Sequence, residues 1–256
     1  MKKNIIKSFV VIITFLVSFY GRGILDSYFN ITNSIQSDFL RVTYAYAWWV
    51  IPVIIVLWIF YGLKNIIKEL KLNQSCGKGI LWALIIASPM VISSSVLGKF
   101  NSDITFLAFI KSTIFAGFFE ETFFRAFFFL QLFYRFKWGF IPAVLLNAIA
   151  FASGHLYQGS TMNETLGVFI VTLMGAAWFS WLFIEWEKNI WLPIGLHVFM
   201  NMSWILFHIS ETALGGMSAN IFRAITIAAS IIITIRFSRK SGGLKVNRNN
   251  LLINRS

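Results

Sequence analysis

The chain has 256 residues, 57% of them hydrophobic and only 12% charged, with 28 Phe and 10 Trp. Missing charge and repeated apolar runs of about twenty residues exclude a soluble globular domain and predict an all-α, polytopic integral membrane protein. A net charge of +12 without a basic, aromatic-interleaved polar face speaks against a nucleic-acid partner, and a single cysteine, Cys76, excludes an intrachain disulfide and a thiolate metal cage.

Eight spans are predicted in one transmembrane domain covering 1–256: Ile5–Tyr20, Tyr44–Leu63, Ile80–Leu97, Thr105–Phe136, Trp138–Ala152, Leu166–Ile184, Ile190–Phe207 and Met217–Ile235. The first follows the basic start MKKNIIK, the pattern of a signal peptide. With no small-x-small cleavage site after it, a retained first helix is the expectation. The fourth exceeds the roughly twenty residues that cross a ~30 Å core, which predicts a tilted or extended helix. From Ser238 the text turns polar and basic (SRKSGGLKVNRNN), predicting a flexible cytoplasmic tail over 238–256 that meets anionic lipid headgroups.

Lys and Arg divide unevenly between the two sides. With a cytoplasmic N-terminus, the inner side receives sixteen: Lys2, Lys3, Lys7, Lys64, Lys68, Lys71, Lys78, Arg135, Lys137, Lys188, Arg236, Arg239, Lys240, Lys245, Arg248 and Arg255. The outer side receives four, Arg22, Arg41, Lys99 and Arg223. Such a bias places both termini in the cytoplasm and requires an even number of spans.

Few ionisable or amide groups fall at membrane depth: Lys111, Glu120, Glu121, Arg125, Asn147, His155, His197, Asn201 and an interfacial His208. Ions in hydrocarbon cost at least a few kcal/mol each, so they are functional candidates by default. In GFFEETFFRAFFF, Gly117–Phe129, Glu121 and Arg125 stand four apart with the acid first, the favourable order for a helical ion pair. Glu120 projects about 100° away, leaving one acid neutralised and the other able to face a polar cavity. The bland alternative is that all three only hold helices together. In GLHVFMN, His197 and Asn201 share a helix face, as do Phe151 and His155 in AFASGHLY. Imidazole beside carboxamide is half of an oxyanion-binding site, although both are also common interhelical glue in membranes.

Three motifs occur in order on successive apolar helices: EETFFR as EExxxR, FASGH as FxxxH, and HVFMN as HxxxN. Over roughly Ala116–Ser203 the chain resembles the CPBP intramembrane endopeptidases, which include the CAAX prenyl proteases and the bacterial Abi and bacteriocin-processing proteins. The motif-bearing core spans about 103–208. The resemblance implies eight helices around a polar catalytic chamber. It implies Glu120 as the general base for a hydrolytic water, His155 polarising that water, His197 and Asn201 stabilising the oxyanion, and Glu121 and Arg125 in support. The expected partners are a peptide or membrane-protein substrate and the membrane lipids. A glutamate-activated water without metal is favoured; the alternative is Zn²⁺ held by Glu120, His155 and His197, a common catalytic composition in an uncommon spacing.

Counting along the predicted spans puts Glu120 ~8 Å, His197 ~10 Å and His155 ~25 Å from the inner membrane edge, so the three meet only if the fifth helix is displaced. Two other functions use similar residues. One is a non-catalytic bacteriocin-immunity or peptide-binding protein on the same fold. The other is an ion-coupled transporter, disfavoured because the chain has no inverted halves. A composition rich in Lys, Asn, Ile and Phe points to a bacterial plasma membrane.

Overall fold

The computed structural model describes residues 2–254; for Lys2 and Lys3 it describes the backbone only, so those two charges and that of Arg255 lie outside the described side chains. Eight long helical segments follow one another: α1 (Lys2–Phe29), α2 (Asp38–Tyr61), α3 (Cys76–Leu97), α4 (Phe106–Ile110, continuing through Lys111–Phe129 and Gln131–Arg135), α5 (Phe140–Ser153), α6 (Met162–Glu185), α7 (Trp191–Leu206) and α8 (Met217–Lys240). Six of them, all but α4 and the shorter α7, are long and apolar enough to cross a membrane. Many of their large apolar side chains stay exposed, including Phe9, Ile51, Ile59, Ile92 and Ile170, as a lipid-facing surface requires. The chain is thus an all-helical integral membrane protein.

Helix ends follow local capping more closely than hydropathy. The helix α2 starts six residues before the predicted Tyr44, because the Ser37 hydroxyl accepts the Leu40 N–H and Asp38 occupies the first turn. The first helix runs past Tyr20 to Phe29 and stops at Asn30, which has φ 50°. Gly21 does not break it. It admits the Trp48 indole instead, and that indole donates to the Val17 carbonyl at 3.0 Å.

A phenylalanine wall makes α4 the centre of the bundle. Phe123, Phe124, Phe127, Phe128 and Phe129 are all buried, and Phe15 of α1 stacks on Phe123 and Phe128 while Trp49 of α2 stacks on Phe123. On the opposite side α4 meets α7, and glycine sets the approach. A Cβ on Gly117 would lie 2.6 Å from Val198 Cγ2, so only glycine lets the backbones come this close. Gly79 and Gly195 seat α3 against α7 in the same way.

Both ends of the chain lie at one end of the bundle. There the Trp138 indole donates to the Ser8 hydroxyl, Lys7 sits over the Phe60 ring, Lys188 sits over the Tyr134 ring, and Arg135 pairs with Glu69. The segment after α8 departs from the expected flexible tail: it folds back as a strap. The buried Glu185 carboxylate accepts the Ser238 hydroxyl and the Lys245 and Val246 N–H groups. The Asn250 and Leu251 carbonyls accept from the Phe140 and Ile141 N–H groups, and the Asn254 amide donates to the Phe133 carbonyl. Chain from the C-terminus therefore caps the orphan N–H groups at the start of α5.

Candidate active site

The central stretch of α4, Lys111–Phe129, is wound as a π-helix. Such winding is rare and concentrates at functional sites, because the wider turn re-aims side chains that an α-helix would separate. Here it presents Glu120, Glu121 and Arg125 toward α5, α6 and α7.

Glu121 and Arg125 are almost wholly buried, at 0% and 1% exposure. Glu121 Oε2 lies 3.0 Å from Arg125 Nε, but neither atom makes a well-aimed hydrogen bond, so their contact is an ion pair by proximity rather than a directional bond. Aromatic faces complete the arginine's surroundings. Its Cζ is 4.4 Å from the Phe151 ring centroid and 5.5 Å from that of Phe179. A desolvated guanidinium gains about 2 kcal/mol or more from such contacts, which offsets part of the loss of hydration.

His197 ties the acids together. Its Nδ1 donates to Glu121 Oε1 at 2.7 Å, since a carboxylate only accepts, and its Nε2 lies 3.9 Å from Glu120 Oε2. The second distance exceeds a hydrogen bond. Glu120 therefore keeps an uncommitted carboxylate oxygen, and its side chain retains 18% exposure. One turn on, the Asn201 amide donates to the Ser112 carbonyl at 2.8 Å and joins α7 to α4. A primary amide has a second N–H, and that one remains available.

His155 stands just past the end of α5. Its Nδ1 bonds the Phe151 carbonyl at 2.8 Å, and its ring is 4.5 Å from the Phe151 ring. Phe151 thus touches both His155 and Arg125, which brings His155 beside the layer that holds the ion pair. No hydrogen bond among the described residues joins His155 to Glu120 or His197. Nor does any group of three His, Cys, Asp or Glu among them come together closely enough to hold a metal ion. Of the other polar candidates, buried Asn147 donates to Ser180 between α5 and α6, a helix-joining contact, and Lys111 is exposed.

Tyr46 of α2 is a neighbour that sequence reasoning missed. Its ring stacks on Phe119 at 4.4 Å, and its phenol lies within electrostatic reach of Glu120 and Tyr157. Nothing local marks it out, because TYAYAWW reads as an ordinary interfacial aromatic belt. Beside the cluster, between α3, α4 and α7, lies an apolar cavity of about 390 Å³ bounded by Ile80, Phe115, Phe118, Phe119, Trp191 and Phe199.

Residues 102–203 match the family described as Type II CAAX prenyl endopeptidase Rce1-like. That stretch contains all three motifs and 102 of the 256 residues. No curated protein and no solved structure matches the chain. The segment that builds the buried cluster is thus similar, over those residues, to the CAAX-type membrane endopeptidases.

Proposed function

We propose that the chain hydrolyses a peptide bond of a membrane-associated or lipidated protein, with Glu120 activating the water. The observation that carries this is the asymmetry of the two acids: Glu121 is committed to Arg125 and His197, whereas Glu120 keeps a free oxygen 3.9 Å from the same imidazole. A general base needs that freedom, and a buried cluster with a single uncommitted carboxylate supplies it.

In this reading Glu120 takes a proton as the water oxygen bonds to the peptide carbonyl carbon. The carbonyl oxygen becomes an oxyanion, stabilised by the second Asn201 N–H and by His197 in its imidazolium form, whose Nε2–H donates while its Nδ1–H stays on Glu121. Collapse breaks the C–N bond, and protonated Glu120 returns its proton to the departing amine. Glu121 holds His197 through Nδ1, so the imidazole turns Nε2 toward the reaction. His155 lines the approach from α5. The apolar cavity against Phe118 and Phe119 suits a lipid group or a large apolar side chain of the substrate. The Lys and Arg distribution supports both termini in the cytoplasm, and the composition supports a bacterial plasma membrane.

The test compares peptide products from cells carrying wild-type protein, Glu120→Ala or Glu121→Ala, each with and without a strong chelator. Products that vanish with Glu120→Ala and persist with chelator support the glutamate mechanism. Loss on chelation alone moves the reading to a metalloprotease. Identical products from all proteins overturn catalysis at Glu120 and leave the immunity or peptide-binding reading in its place.

A further inference from the structure

At the end of the bundle away from the chain termini, α3 and α7 finish and α8 begins around a second cavity of about 250 Å³. Its wall is chemically unlike that of the apolar cavity beside Glu120. It is lined by Ser93, Ser94, Lys99, His208, Gly216 and Ser218, among others. Backbone bonds hold the corner together: the Lys99 N–H donates to the Phe207 carbonyl, and the Asn101 N–H donates to that of Leu206.

Four observations converge there. The Lys99 and His208 side chains have no hydrogen-bond or ion-pair partner among the described residues, and His208 is held at φ 45°, a conformation a non-glycine residue seldom takes. The helix α8, 24 residues long, starts at Gly216 without a side-chain cap, which leaves the N–H groups of its first turn open and its positive dipole end at the cavity. Ser94, only 4% exposed, lines the cavity with a hydroxyl that has no partner, although Ser93 beside it donates to the Met90 carbonyl. Finally, no carboxylate lines the cavity: Asp103 and Glu211 belong to neighbouring loops and stay outside it. A lysine, an imidazole, a helix N-terminus and spare hydroxyls with no acid among them form a receptor for an anion.

We infer that this cavity binds a phosphate-bearing anion, either a phospholipid headgroup or free phosphate. Its rim favours the first source. Leu97 lines the cavity and is exposed, as are Phe100 and Met217, the chain neighbours of the lining residues Lys99, Gly216 and Ser218, so acyl chains would find apolar surface beside a headgroup at the membrane boundary.

The test uses the full chain in a neutral maltoside detergent and reads its thermal unfolding midpoint. The additives are dioctanoyl phosphatidylglycerol, dioctanoylglycerol or inorganic phosphate. Phosphatidylglycerol is expected to raise the wild-type midpoint where dioctanoylglycerol does not. In Lys99→Gln with His208→Gln, both exposed positions, half-saturation should move up about ten-fold or more, because two charge-assisted contacts are lost. Lys68→Gln should respond as wild type. If inorganic phosphate alone reproduces the shift, the anion site stands with free phosphate as its ligand. An equal shift with dioctanoylglycerol, an unchanged response in the double variant, or a loss in Lys68→Gln would overturn the inference.

Discussion

Arg125→Met isolates the charge that holds the candidate site together. Methionine keeps most of the apolar volume against Phe151 and Phe179 but removes the guanidinium that faces Glu121. Deleting one partner of a buried pair costs about 3–5 kcal/mol, since the other charge is left unpaired. His197 still donates one hydrogen bond to Glu121, which pulls the estimate down, while the lost contacts over two rings push it up. About 3–5 kcal/mol remains a fair total, or roughly a 6–20 °C fall in unfolding midpoint for a chain of this size. The assay is thermal unfolding in detergent micelles, followed by far-UV circular dichroism. Adding Glu121→Gln removes the orphan charge while leaving an oxygen for the His197 N–H, so the double variant should recover at least half of the loss. A fall below about 2 °C for Arg125→Met, or a double variant worse than the single, would refute the reading of Glu121 and Arg125 as a mutually dependent pair.

Other positions give simpler expectations. Asn201→Ala removes the bond to the Ser112 carbonyl and should cost about 0.5–2 kcal/mol of stability, measured by the same unfolding assay. Gly139→Ala places a Cβ against the Leu251 and Leu252 backbone; it should unseat the strap and speed proteolysis after Lys240, with no acceleration counting against the packed tail. Lys188, in the turn between α6 and α7, is held below the ordinary lysine range by burial and then by Lys245. The unfolded chain therefore binds more protons between the lowered and ordinary values, so stability should rise with pH across that window. Lys188→Met should flatten that rise in a pH series of unfolding midpoints.

Much of the architecture was legible from residues alone, for a physical reason. Lipid must be met by apolar surface and satisfied backbone, so each crossing announces itself as a long apolar run, and any ion inside one stands out. Glu120, Glu121 and Arg125 were visible for this reason, and the four-residue spacing indicated which acid pairs with the arginine. Even the early start of α2 was written locally, in the Ser37–Asp38 cap, although hydropathy passed over it.

What the chain does across long sequence distances carried no such mark. The Asn201 amide finds a carbonyl 89 positions away, and Glu185 gathers N–H groups some sixty residues downstream, so neither partner could be read from spacing. The tail looked like a solvated end because its composition is polar. Its amides nevertheless find buried acceptors, and its carbonyls cap α5. The π-winding of α4 and the glycine approach of α7 set how Glu120 and His197 face one another, and both depend on how the helices pack. Local pattern names the groups that cost energy to bury, and only packing between distant segments decides which of them meet.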